Sequence, residues 1–365
     1  MDDPTGGDAV PPARVELLSA PLTRAYLGSL APLLAGRVLS AAEREQIEAQ
    51  RGGAIRPILE AWGDEPAFAE AARSMMESRL AVSGTRDGID FNLPGNTVAQ
   101  VVRTRAPWSE ILTADTCYSA SGNETPCDTG APYAAGVLAT RAFMSSRAGR
   151  FNLTRAGTVL GVFSCKKYPL SDEAEPPIER SRLLSMFQAT SSEEQTEEAA
   201  KAGFGNGLAC YSCHGQFGPH AQLFVRFDRD GIWHADATGL QNPDPAAQLG
   251  ESVNGLMASH LVNPAEAGEE RSQMFGETVE NLAEAAKVIG ASPDFQSCAV
   301  RSALEYGLGL DRGARVDDRL LVEIADGIRA DHAEPTFQDI VVATFADPRV
   351  AHTAARALEE RNEGE

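Results

Sequence analysis

Apolar residues recur at three- and four-residue steps through most of this chain, and strict alternation is confined to a few short runs. That periodicity predicts a mainly α fold with few, short strands. The first helical stretch runs from Arg14 to about Leu80. Within it, Ser40 and Glu43 have the spacing of a capping box and open a helix over Ser40–Gly52. Ala54–Trp62 and Pro66–Leu80 continue the pattern, punctuated by Gly63, Asp64 and Pro66. Asp87–Asn96 is turn chemistry, followed by short helices over Thr97–Thr104 and Trp108–Thr113. Two longer helices are predicted over Ala134–Ser146 and Leu153–Cys165, and an acidic one over Ser191–Lys201. Residues 221–227 and 229–235 predict a short hairpin around Asp228-Arg-Asp-Gly231. Beyond it come Glu277–Ile289, with Val279, Leu282, Ala286 and Ile289 on one face, then Ser292–Leu308, Asp318–Ala330 and, as the last helix, Phe337–Phe345.

The chain has 365 residues, enough for two or three domains. Loop-rich stretches suggest the divisions. Residues 1–13 read as a Pro- and Gly-rich tether. Residues 14–190 form a helical N-terminal region, 191–312 a second domain, and 313–365 a helical extension.

Composition adds a sign. Fifty-two acidic against 32 basic residues give a formal charge of −20, which repels nucleic acid and anionic lipid and can steer a basic partner. No run of 18 or more apolar residues occurs, so no transmembrane span is expected.

The most specific chemistry lies in one pentapeptide, Cys210-Tyr-Ser-Cys-His214. Cys-x-x-Cys-His is the attachment sequence for haem c. Two thiols three positions apart can each add to a vinyl group of one porphyrin, and the following imidazole then reaches the iron from the proximal side. A thioredoxin-like redox pair would need a βαβ setting, which the periodicity does not supply, and a zinc site would need a second close ligand pair. The remaining cysteines, Cys117, Cys127, Cys165 and Cys298, supply no such pair. The expectation is therefore a mainly α protein with a helical N-terminal region and a cytochrome c-like haem domain over 191–312, carrying one covalent haem c.

Haem c is attached outside the cytoplasm. The first residues lack the basic and apolar parts of a signal peptide, so the expectation is that a leader has been removed, leaving a periplasmic or cell-surface protein with a possible lipid anchor behind the tether. Cys117 and Cys127 flank a polar loop containing Gly, Asn and Pro, which predicts a local disulfide. Cys165 and Cys298 either bridge two distant regions or stay as free buried thiols.

The sixth iron ligand separates electron transfer from catalysis, because an occupied site favours the first and an open one the second. The candidates are Met257, Met274, His220 and His260. Arg226 and Arg229 are placed to neutralise haem propionates or stand as plain strand-edge cations. Phe217, Phe224 and Trp233 supply an apolar wall that excludes water.

Residues 200–312 resemble a domain of bacterial c-type cytochromes found in large exported proteins. The likeness rests on Cys210–His214, Gly218, Phe227-Asp-Arg-Asp-Gly231, Phe275-Gly-Glu, Ser292-Pro-Asp-Phe-Gln-Ser-Cys298 and Tyr306-Gly-Leu-Gly309. Upstream, Ala134-Ala-Gly-Val-Leu-Ala-Thr-Arg141 and Arg150-Phe-Asn-Leu-Thr-Arg-Ala156 look like the partner region that precedes such a domain. Where that family has Asp-Pro-x-Gly after the haem histidine, this chain has Gln216-Phe-Gly-Pro-His220. The resemblance implies an exported haem c protein. Three functions follow as expectations: an electron carrier working with a redox partner protein, a peroxidase-like haem enzyme with an open distal face, or a surface-assembly protein stapled by its haem.

Overall fold

The computed structural model describes residues 18–148, 152–170, 216–235 and 270–363. Among them the fold is mainly α, with thirteen α-helices and three two-stranded antiparallel hairpins. By compactness the chain divides into two units, one of residues up to Ala71 together with Val300 onward, the other Ala72–Ala299. Of the boundaries suggested by sequence, those at 13 and 190 lie outside the described residues.

The first unit is built from long helices: α1 (Ala20–Leu34), α2 (Ala41–Gln50), α3 (Ile55–Trp62), the start of α4 (Pro66–Leu80), the end of α10 (Pro293–Gly307), α11 (Asp318–Asp331), α12 (Phe337–Phe345) and α13 (Pro348–Glu363). Helix α1 packs on α2 and α13, and α12 on α3 and α11. Local chemistry closes the helix ends. Ser40 accepts from the Glu43 N–H while the Glu43 carboxylate accepts from the Ser40 N–H, the predicted capping box. Thr336 and Asp339 form a second one. The core is apolar, with Tyr26, Leu27, Leu30, Ile55 and Trp62 fully buried. Tyr26 donates its hydroxyl to the Phe345 carbonyl at 2.8 Å, and the rings of Phe68 and Phe337 sit 5.4 Å apart. Helix α13 is an addition to the sequence reading. Its apolar positions are mostly alanines, which give a weak periodic signal.

In the second unit α5 (Leu93–Arg103) is buried along almost its whole length. The elements around it are short: β1 (Thr85–Arg86) with β2 (Ile89–Asp90), α6 (Glu110–Thr113), β3 (Cys117–Tyr118) with β4 (Glu124–Thr125), α7 (Arg141–Ser146), α8 (Leu153–Phe163), β5 (Ser272–Met274) with β6 (Glu277–Val279), and α9 (Leu282–Ala291). Cys117 and Cys127 are joined, with Cα atoms 5.0 Å apart, as the polar loop between them predicted. Cys165 and Cys298 are also joined, which settles the open alternative in favour of a bridge.

Three sequence expectations are corrected here. Glu277–Ile289 does not form one helix: Phe275 and Gly276, at φ 50° and 80°, make a tight turn that puts Glu277–Val279 into β6, and Asn281 then caps α9 through the Ala283 and Glu284 amides. Ala134–Ser146 breaks at Thr140, whose extended backbone separates a 3-10 turn over Gly136–Ala139 from α7. Of the expected hairpin, Ala221 and Gln222 belong instead to a helical stretch over 216–222, while Phe227 and Trp233 do pair, in one antiparallel bridge around Asp228–Gly231.

Candidate functional site

Cys210, Cys213 and His214 lie outside the described residues, as do Met257 and His260. The chain that follows the pentapeptide is described, and it is buried without interruption from Gln216 to Val225. Ten consecutive buried residues cannot be a one-faced surface helix, so both faces of the 216–222 turn are covered.

His220 sits in this segment at 3% exposure. Its Nδ1 is 2.5 Å from the Tyr168 hydroxyl. The Tyr168 and His220 rings lie 5.7 Å apart, Phe217 stands edge-on to Tyr168 at 6.0 Å, and Phe275 edge-on to His220 at 6.2 Å. Burial in this aromatic surrounding pulls the imidazole down to about 4, so it is neutral at physiological pH. Its Nε2 makes no hydrogen bond among the described residues.

Two contacts fix the segment. The Gln216 side-chain amide pairs with the Leu170 backbone, accepting from its N–H and donating to its carbonyl at 3.3 Å. Ser272, at the start of β5, donates to the Pro219 carbonyl at 2.6 Å. The β5 strand carries Met274, buried at 2%. Of the expected site residues, His220 and Phe217 thus share one aromatic pocket, and the strand bearing Met274 is tied to their segment.

Arg226 and Trp233 form a neighbouring group. The Arg226 guanidinium lies 5.5 Å from the Trp233 ring centre. It donates to the carbonyls of His234 at 3.1 Å and Ala235 at 2.6 Å and stands 3.8 Å from Glu270. Glu270 accepts from the Trp233 indole at 3.3 Å and from the Tyr133 hydroxyl in a short contact. Burial raises the Glu270 carboxyl above its ordinary range, against the lowering effect of these donors and of Arg226. Arg226 therefore balances a carboxylate of the protein itself. Arg229 is exposed.

Arg155 lies within the Arg150–Ala156 motif, where the sequence alone implies no role for it. It is fully buried on α8 and binds four oxygens. It donates to the Met144 carbonyl at 3.0 Å, to Asn152 Oδ1 at 3.0 Å, to the Phe227 carbonyl at 2.8 Å and, in a short contact, to the Asp228 carbonyl. Burial lowers it to about 9, so the guanidinium stays charged near neutrality. The signal that could have found it is its place on the apolar stripe of α8, four and seven residues before Val159 and Val162. Arg155 fixes the Phe227–Gly231 turn, which Asp228 completes by accepting from the Asp230 and Ile232 amides and bonding His234 Nε2 at 2.8 Å. Tyr168, Tyr133 and Glu270 had no sequence signal, because each acts through a partner distant in the chain.

Among the described residues no cluster of three His, Cys, Asp or Glu side chains is gathered at metal-binding distance, and no helix is long and apolar enough to cross a membrane. Comparison of the chain with protein-family models, with curated proteins and with solved structures finds no match.

Proposed function

We propose that this chain is an exported single-haem c-type cytochrome that passes single electrons to a redox partner protein. The observation that carries the reading is the pentapeptide Cys210-Tyr-Ser-Cys-His214. Cys210 and Cys213 would hold the porphyrin covalently, and His214 would ligate its iron. Bound there, haem supplies a one-electron couple.

The described residues fit such a group in three respects. Phe217 and Phe224, at most 1% exposed, follow the pentapeptide in sequence and supply buried aromatic surface of the kind that walls a haem. His220 is held neutral, with Nδ1 engaged by Tyr168. An imidazole anchored through one nitrogen presents the other to a metal, so His220 Nε2 is a candidate sixth ligand. The buried thioether of Met274 is the second candidate, while Met257 and His260 remain candidates by residue type alone. The two disulfides suit an oxidising compartment, periplasmic or at the cell surface.

The same His220–Tyr168 pair supports a second reading. A neutral imidazole on a phenol can accept and return a proton, which is what a haem enzyme with an open iron would need.

Acid–acetone extraction of the oxidised protein tests the first claim. Colour and mass should stay with the chain, and should leave it in a Cys210→Ala, Cys213→Ala variant. Free release of haem from the unmodified protein would end the proposal. Spin state then separates the two readings. Low-spin iron that His220→Ala converts to high spin assigns the ligand and supports electron transfer. Conversion by Met274→Ala instead assigns the thioether. High-spin iron in the unmodified protein favours the enzyme.

A further inference from the structure

The first unit carries a groove of about 630 Å³, bounded by α1, the end of α10, the start of α11 and α13. Its floor is apolar: Leu33, Leu304, Leu308, Leu320, Val350 and Leu358 line it. Leu33 and Leu310 are two of the five large apolar side chains exposed among the described residues, and both face this groove. A run of apolar surface left open in this way marks a binding site, and the volume falls within the range of small-ligand pockets, roughly 300–1,000 Å³.

Charge identifies the ligand. The chain as a whole is strongly acidic, at −20, yet the groove is lined by three arginines, Arg315, Arg349 and Arg361, and one acid, Asp317. Arg349 is neutralised by Asp347 at 2.8 Å and by Glu323 in a short contact. Asp317 is occupied as the N-cap of α11, where its carboxylate accepts from the Arg319 amide at 3.0 Å. Arg315 and Arg361 take part in no ion pair among the described residues. Helix α13 sorts its charges accordingly. Arg361 lines the groove with Val350, Ala354 and Leu358, while Glu359 and Glu360 do not. The small side chains of Ala354 and Ala357 leave the space that larger residues at this helical spacing would fill.

We infer that this groove binds a single-chain amphiphile with an anionic head, a fatty-acid carboxylate, whose alkyl chain lies on the leucines and whose carboxylate meets Arg315 and Arg361. Two exposed guanidinium groups that make no ion pair among the described residues, lining an apolar trough, match that ligand in both parts, because a planar guanidinium donates two parallel hydrogen bonds to a carboxylate. The site lies wholly within the first unit and does not depend on haem.

The test is titration of the full-length protein with 11-(dansylamino)undecanoate, followed by displacement with dodecanoate and hexadecanoate. One probe should bind per chain. Affinity should rise about threefold to fourfold for each added methylene until the groove is full. Dodecanol should bind at least about tenfold more weakly than dodecanoate. The double variant Arg315→Ala, Arg361→Ala changes two exposed side chains, and it should weaken dodecanoate about tenfold while leaving dodecanol unchanged. Ala354→Trp should abolish binding of both, with the thermal transition retained as a check on folding. Equal affinity for the acid and the alcohol, or insensitivity to the arginine substitutions, would overturn the assignment. So would a dimer in sedimentation that Ala354→Trp dissociates, since a second copy would then be what covers the groove.

Discussion

The two compact units hold their chains in different ways. In the unit formed by residues up to Ala71 and from Val300, helices such as α1, α11 and α13 run 14 to 16 residues, so most backbone groups are satisfied inside their own element. Serine, threonine and aspartate close the ends, at Ser19, Ser40, Asp317 and Thr336. In Ala72–Ala299 the strands run two or three residues and α6 and α7 four and six. Such elements leave many carbonyls and amides without partners of their own kind. Side chains and covalent bonds take over: Arg155 on three carbonyls, Gln216 on Leu170, Asp228 on two amides, and both disulfides. The irregular unit is also the one that contains Cys210-Tyr-Ser-Cys-His214. A backbone of short elements gives up the self-sufficiency of long helices and is stapled by specific side chains instead.

Removing the longest staple should have the largest effect. Cys165 and Cys298 are 133 residues apart, and the Arg79 guanidinium lies 3.5 and 3.6 Å from their sulfurs. A closed loop of that length contributes about 4–5 kcal/mol in the chain-entropy model. Cys165→Ala, Cys298→Ala should therefore cost about that much in chemical denaturation, and the 10-residue separation of Cys117 and Cys127 should cost less, about 2–3 kcal/mol. Hydrogen exchange should place the lost protection within Ala72–Ala299. Equal loss in α1, α12 and α13 would mean that the units are not separately held.

Arg155 is the next break. Arg155→Met keeps much of the volume but strands the buried Met144 and Phe227 carbonyls and the part-buried Asp228 carbonyl, at about 3–4 kcal/mol. Arg155→Lys should recover less than half, because an ammonium cannot span the planar fork. A cost below about 1 kcal/mol for Arg155→Met would show that water reaches those carbonyls.

The same contrast decides what could be read from sequence. The first unit was legible because its signals are local: the Ser40–Glu43 box, the Pro66–Leu80 periodicity and the Asp318 and Phe337 helices all appear where expected. Its one omission, α13, has an alanine-rich stripe. In the second unit the Cys117–Cys127 bridge was legible because both partners flank one turn. The Phe275-Gly276 turn was overlooked because Val279, Leu282, Ala286 and Ile289 also satisfy a helical period. The aromatic pocket was legible only by half. Phe217 and His220 stand near the Cys210–His214 motif, whereas Tyr168 is 52 residues from His220, and in the neighbouring group Tyr133 is 137 from Glu270. Partners at such separations leave no mark in a single sequence.

Two carboxylates, buried Glu43 and part-buried Glu270, sharpen the comparison with smaller effects. In the first unit Glu43 accepts from Arg37, from the Ser40 amide and from the Trp62 indole at 2.6 Å. Hydrogen bonding from Arg37 leads the causes that hold it at about 2, against the opposing effect of burial. A depressed carboxylate contributes stability that is present above its unfolded value, near 4.5, and is lost as pH falls toward 2. Glu43→Gln should therefore cost about 2 kcal/mol at pH 7 and nearly nothing at pH 2, measured by denaturant midpoints at both. An equal cost at both would mean that the shape of the side chain, and not its charge, is what α2 and α3 require.

Glu270 in the second unit should respond with the opposite sign. Burial dominates there and raises the carboxyl, even though Tyr133, Trp233 and Arg226 all act to lower it. A raised carboxyl stabilises the fold most when it is protonated, below about 4.5, and loses that contribution as pH rises through its folded value. Glu270→Gln keeps an oxygen for the Tyr133 and Trp233 donors and removes the charge. It should leave stability unchanged near pH 4 and raise it at pH 7 by an amount smaller than the loss at Glu43, because the 3.8 Å contact with Arg226 is given up at the same time. Chemical denaturation at the two values reads the difference directly. A loss at pH 7 would show that the Arg226–Glu270 pair outweighs the burial of the charge, and that this unit too relies on a charged pair of the kind Arg37 and Glu43 make in the other.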